Sequence, residues 1–169
     1  LFDLPFLFRT SDDVLRYLKS PLPDKIIDSF IKKEHLVTPL AFWIGDYKNF
    51  YGNRHLKTTQ DFQGLTGSVE TNNGISNIYQ KSLGLSTVRA QNQEQLVSSI
   101  VKPNNNSPDV VELNSSFILN KELYKYYKDL TKSQHIVRSY MVLTNKRWFN
   151  KLPEDVKSGI KDITKDLKN

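Results

Sequence analysis

Few side chains in this sequence have the type and spacing to do chemistry: two pairs of neighbouring acids, three histidines, and an aromatic run with basic residues set into it. Paired carboxylates suit general acid–base work. Both pairs, Asp12-Asp13 and Glu154-Asp155, stand at expected helix starts, where attraction to the helix dipole accounts for them. The histidines at 35, 55 and 135 form no HExxH-type pair, and there is no cysteine to supply a thiolate ligand, a nucleophile or a disulfide. Neither metal nor any other cofactor is expected. The nucleophile elbow GxSxG and the phosphate loop GxxxxGK[ST] are absent, and Gly64-Leu65-Thr66-Gly67 lacks the third glycine and the preceding strand of a dinucleotide site. The residues therefore point away from an enzyme. Phe42, Trp43, Tyr47, Phe50 and Tyr51 interleave with Lys48 and Arg54, which would suit base stacking. The aromatic RNA-binding consensus is missing, however, and a half-buried strand with a polar face explains the same residues, so nucleic acid is not the expected partner.

The elements that must position these residues follow from composition and pattern. A chain of 169 residues, 38 % hydrophobic and 25 % charged, suffices for one domain or two small lobes. No stretch approaches the roughly 20 apolar residues needed to span a bilayer, so direct membrane insertion is not expected. The opening LFDLPFLFRT is apolar but short, broken by Asp3 and Pro5 and preceded by no basic segment, so it reads as core rather than as an intact secretory signal. The absence of cysteine fits an oxidising or a reducing compartment equally. The net charge of +6 lies in residues 121–169, which hold 12 lysines and arginines against 6 acids, whereas residues 1–120 hold 12 of each. Lys121, Lys125, Lys128 and Lys132, then Lys157, Lys161 and Lys165, recur with helical spacing and read as solvated helix faces.

Ser11-Asp12-Asp13 predicts the cap and first turn of a helix carrying Val14, Leu15 and Leu18 that Pro21 stops. A second helix opens near Pro23-Asp24 and carries Ile26, Ile27, Phe30 and Ile31, ahead of a β-rich run at 36–44. Gly45 to Gly64 reads as an extended ribbon with turns at its glycines. Short β-like pieces at 68–71, 87–88 and 110–113 alternate with helical patterns at 75–83, 93–100 and 115–131, the cadence of an α/β domain with parallel-capable strands. Lys102–Pro108 reads as a surface loop. A strand at 136–143, a short helix at 145–150 and a helix from Pro153 complete the chain. His135 follows a helix in this reading and enters an apolar strand as a hydrogen-bonded structural residue.

Several stretches, in order, resemble one family. Phe2–Phe8 (FDLPFLF), Asn53-Arg54, Asp61–Ser68 (DFQGLTGS), Leu83-Gly84-Leu85, Pro108–Asn114 (PDVVELN), Leu130–His135 (LTKSQH) and Asn145–Val156 (NKRWFNKLPEDV) are similar to the motifs of solute-binding proteins of tripartite ATP-independent periplasmic (TRAP) transporters, dicarboxylate/sialic-acid type. The resemblance implies an α/β, periplasmic-binding-protein-like fold: two α/β lobes joined by strands that cross a hinge, with residues 1–45 and 139–169 in an incomplete first lobe and 46–138 in the second. It implies an extracytoplasmic, periplasmic protein that captures a small organic acid between lobes, changes no bond in it, and delivers it to the membrane subunits of the transporter.

The resemblance also implies a site. The family grips a carboxylate with an arginine, whose planar fork gives two parallel hydrogen bonds. That position is Ser68 here, and the family's asparagine after the glutamate is Leu113, with Asn114 one residue on. Lys48, at the place of a second basic residue, or Arg54 would take over the anion. Otherwise the solute is neutral or differently charged, or binding is lost. Glu112 is retained to position polar groups, and His135 belongs to the hinge or to the supporting structure. A non-catalytic interaction or scaffold domain on the same fold is the alternative function.

Overall fold

The computed structural model describes residues 4–31, 36–70 and 74–166. The chain runs α1 (Ser11–Lys19), α2 (Leu22–Ile31), β1 (Val37–Gly52), β2 (Thr66–Glu70), α3 (Gly74–Ser82), β3 (Ser86–Ala90), α4 (Gln93–Val101), β4 (Val110–Asn114), α5 (Ser115–Asn120), β5 (Asp129–Asn145), α6 (Lys146–Asn150) and α7 (Glu154–Asp166), with 3-10 turns at Thr59–Phe62 and Leu123–Lys125. The expected α/β class is what the chain forms.

The strands make one sheet in the order β3-β2-β4-β1-β5. β2 pairs in parallel with β3 and β4, while β4 pairs antiparallel with β1. From β2 the chain crosses outward through α3 to β3, then back past β2 through α4 to β4. Crossovers of one hand that reverse direction in a sheet place their helices on opposite faces. Side-chain alternation sorts the core accordingly. Phe50, Leu65, Leu85 and Val110 cluster with Tyr79 of α3, and Tyr51, Val111 and Leu113 cluster with Leu96 and Ile100 of α4. β4 is buried at every residue.

Packing divides the chain into two units, Leu1–Leu7 with Asp46–Val137 and Phe8–Gly45 with Arg138–Asn169, so the division falls inside β1 and β5. The N-terminal residues join the first unit and not the helices that follow them. The reason is local: the Phe6 N–H donates to the His135 carbonyl at 2.6 Å. In the second unit, Val14 and Ala41 are buried, and the Lys146 N–H donates to the Leu36 carbonyl at 2.8 Å.

Several expectations need correction. The cap of α1 is Thr10, not Ser11: the Thr10 hydroxyl accepts from the Asp13 N–H at 3.2 Å and the Asp13 carboxylate accepts from the Thr10 N–H at 3.0 Å. The helix at 115–131 is α5 alone, because Glu122 turns left-handed at φ 53° and β5 begins at Asp129. Lys121, Lys125, Lys128 and Lys132 are therefore exposed but share no helix, and His135 lies within a strand. Gly45 makes no turn. It lies in β1, where an added Cβ would sit 2.6 Å from the Tyr140 ring. The side chains of Ile27, Phe30, Ile31 and Phe42, and Thr71 of the expected strand, lie outside the described residues.

Candidate functional site

The site grows from the pairing of β1 with β4. Lys48 stands opposite Asn114 and Phe50 opposite Glu112, so these four residues share one face and Lys48 is the diagonal neighbour of Glu112. Lys48 Nζ lies 3.0 Å from Glu112 Oε1. On the same face α3 places Ser76, Tyr79 and Gln80 on adjacent turns, and all three donate to Glu112 Oε2: Ser76 Oγ at 2.7 Å, Gln80 Nε2 at 3.1 Å, and the Tyr79 hydroxyl.

His135 closes the cluster from β5. Its ring stacks on Phe50 with 4.6 Å between centroids and 4° between planes. Nε2 is 3.0 Å from the Tyr79 hydroxyl and Nδ1 is 2.8 Å from Ser133 Oγ. Tyr79 spends its one proton on Glu112, so its oxygen accepts from His135 Nε2–H, and Nδ1 accepts from Ser133. The donors thus run Ser133, His135, Tyr79 and end on Glu112.

Electrostatics follow from this geometry. Burial by itself would raise the Glu112 pKa, but the Lys48 charge and the hydrogen bonds from Tyr79 and Ser76, with His135 adding, hold the carboxyl below the usual carboxylate range. Burial pushes His135 down to about 4, Glu112 opposing and Lys48 reinforcing. Burial and the Glu112 charge push the Tyr79 phenol up. At neutral pH the cluster holds one cation and one anion, with His135 and Tyr79 uncharged.

Gln80 also donates to Ser76 Oγ at 3.1 Å and to the Ser68 carbonyl at 3.3 Å, while its Oε1 has no hydrogen-bond partner among the described residues. That oxygen lies over Gly67, where an added Cβ would come within 2.3 Å of it. Among the described residues no three or more histidines, aspartates or glutamates stand close enough to hold a metal ion.

Lys48, Glu112, Asn114 and His135 are thus on one face, although Asn114 Nδ2 turns to Ser116 Oγ at 2.7 Å. Ser68 reaches the cluster only through its carbonyl. Its register partner is Val111, so its side chain faces the α4 side, where it lines an open groove of about 400 Å³ with Gln95, Ser98 and Asn104. Leu113 is buried in the core on that same side. Arg54 is exposed beyond the end of β1, with Gly52 already about 13 Å along the strand from Lys48 at about 3.3 Å per residue. Ser76, Tyr79 and Gln80 were not singled out from sequence. Their signal was a polar stripe at i, i+3 and i+4 on the helix after a strand.

The model of bacterial extracellular solute-binding protein family 7 matches residues 1–169. The chain belongs to that family. This family 7 chain is 27 % identical over 161 residues, 95 % of its length, to the C4-dicarboxylate-binding periplasmic protein DctP of Shewanella loihica, and covers 46 % of that protein. It is 23 % identical over 170 residues, 99 % of its length, to DctP of Vibrio cholerae, and covers 48 % of it. The chain thus spans about half the length of the relatives it matches. Among solved structures, a TRAP periplasmic solute-binding protein of Shewanella oneidensis with bound succinate is 25 % identical at a TM-score of 0.79, with 99 % of this chain and 52 % of that one covered. The apo, open structure of one from Escherichia fergusonii superposes at a TM-score of 0.87 with 18 % identity, covering 98 % of this chain and 54 % of that one. The fold of the family 7 chain is accordingly periplasmic-binding-protein-like.

Proposed function

We propose that this chain is the solute-contacting part of an extracytoplasmic binding protein that captures a small organic acid and delivers it, unchanged, to TRAP transporter membrane subunits. The family match along all 169 residues carries the reading. An organic acid as the solute is supported by the relatives' names and bound molecules: C4-dicarboxylates for the DctP proteins, and succinate, L-malate, L-gulonate and D-glucuronate in solved structures. In this reading the protein is periplasmic, residues 46–138 form the lobe that carries the polar cluster, and Lys48 supplies the charge that meets the acid. Glu112, Tyr79 and His135 hold Lys48 in place and make no bond to the solute. The thermal unfolding of the chain, followed against a panel of mono- and dicarboxylates, sugar acids and keto acids, tests it. A cognate acid raises the melting temperature, and a flat response across the panel sinks the proposal.

A second reading has its own observation. Ser68 and Leu113 occupy the positions where the resembling family has its arginine and asparagine, and Leu113 is packed into the core. A non-catalytic interaction domain on the same fold would keep the cluster as structure and bind no acid. In that case the panel leaves the melting temperature unchanged while Glu112→Ala still destabilises the fold.

A further inference from the structure

We infer that Asn49 is a positioning residue: by pinning a left-handed step of β5 at Gln134, it sets which nitrogen of His135 carries the proton and so fixes the chain of donors that ends on Glu112 beside Lys48. Its consequence for a solute rests on the solute-binding reading above. The basis is a break in a strand. Gln134 has φ 46° inside β5, a backbone region that residues with a Cβ rarely adopt, and its side chain is exposed. What holds the step comes from β1. Asn49, 4 % exposed, accepts from the Gln134 N–H with its side-chain oxygen at 2.9 Å. It stands between Lys48 and Phe50, the two β1 residues of the cluster, and all of these residues lie in the unit that contains Asp46–Val137.

The step acts on its two neighbours. In a regular strand, residues two apart share a face at a separation of about 6.6 Å along the chain. A left-handed residue between them shortens that rise and favours the approach of Ser133 Oγ to His135 Nδ1, at 2.8 Å. With Nδ1 accepting there, the ring proton sits on Nε2, 3.0 Å from the Tyr79 hydroxyl, and Tyr79 is left to donate to Glu112. Released from Asn49, β5 can straighten at Gln134 and Ser133 draws away. The ring proton can then pass to Nδ1 by exchange with water, Nε2 takes the hydrogen bond of Tyr79, and Glu112 loses a donor. The carboxylate then leans harder on Lys48, whose ammonium is 3.0 Å away, and the cation becomes less available to an acid.

Nitrogen–proton correlation spectra of the imidazole rings, recorded on the 169-residue chain at pH 7.5, where burial keeps His135 neutral, test this, with His135→Gln assigning the resonance. The wild type is expected to carry the His135 proton on Nε2. Asn49→Ala is expected to move at least part of it to Nδ1, and adding Gln134→Gly, which adopts the left-handed step without help, to bring it back. A wild-type proton on Nδ1 overturns the inference, and so does an Asn49→Ala spectrum like that of the wild type. If Asn49→Ala does not fold, Gln134→Val takes its place and is expected to displace the proton in the same way, since a β-branched residue resists the left-handed region. Titration with succinate reads the consequence for a solute: Asn49→Ala is expected to bind about threefold more weakly, the scale of coupling within one hydrogen-bond network, and the double variant to recover. Undiminished binding in Asn49→Ala overturns that consequence. A wild type that binds no acid of the panel overturns the solute-binding reading and takes the consequence with it, while the place of the His135 proton still decides the role of Asn49.

Discussion

His135 takes up a proton near pH 6.5 in an unfolded chain but only at about 4 in the folded one. Between those values the unfolded state binds more protons, so the stability this residue contributes is complete above about pH 6.5 and is lost as pH falls toward 4. A displacement of that size is worth on the order of 3 kcal/mol. Urea midpoints measured from pH 7 to pH 4 should fall steeply across this window, and His135→Gln should flatten the fall. Glu112 acts with the same sign lower down: its folded pKa is depressed, so its contribution is present above the unfolded value of 4.5 and fades as pH drops through the folded value. Truncating Glu112 is harsher than titrating it, since Lys48 loses its counter-ion and Ser76, Tyr79 and Gln80 lose their acceptor. Removing one member of a buried pair costs about 3–5 kcal/mol, so Glu112→Ala should lower the urea midpoint far more than Glu112→Gln does.

At the scale of elements, β2 and α3 meet where Gly67 admits the Gln80 carboxamide. A methyl group there would collide with Gln80 Oε1 at 2.3 Å and press on Leu85 at 3.2 Å. Gly67→Ala should therefore destabilise by about 1–3 kcal/mol. In a Gln80→Ala background the same substitution should cost much less, and a double-mutant cycle on unfolding free energies reads the coupling. If the two effects simply add, the contact is not the cause. Helix α1 depends on its capping box, and Thr10→Ala, which removes the acceptor for the Asp13 N–H, should cost about 1 kcal/mol in chemical denaturation. The elements legible in the sequence were those with such local signals. Asn145 was read at the start of a short helix and caps α6, accepting from the Trp148 N–H at 3.0 Å. The stretch after Ser115 was misread because Leu123 and Tyr127 repeat at four-residue spacing as a helix would, yet they are anchors on the α4 side of the sheet, and Glu122 breaks the helix between α5 and that turn.

For the whole molecule, a solute selective for the folded state at a hundredfold excess over its Kd adds about 2.7 kcal/mol of stability. For a chain of this length that is a rise of about 5–10 °C in melting temperature, within easy reach of a thermal scan. The amino-acid sequence settled much that depends on neighbours along the chain: the starts of α1, α4 and α6 to within a residue or so, the absence of thiol and HExxH-type sites, the excess of positive charge after residue 120, and through ordered motifs the family itself. Glu112, Lys48 and His135 were each picked out as single residues. Their meeting was decided by the register of β1 on β4 and by the laying of α3 on that face, which also turned Ser68 toward the other side. Hydrophobic period and capping are short-range and leave their mark in a window of a few residues. Strand register and the choice of helix face are long-range outcomes of burying one whole sheet, and no local window records them.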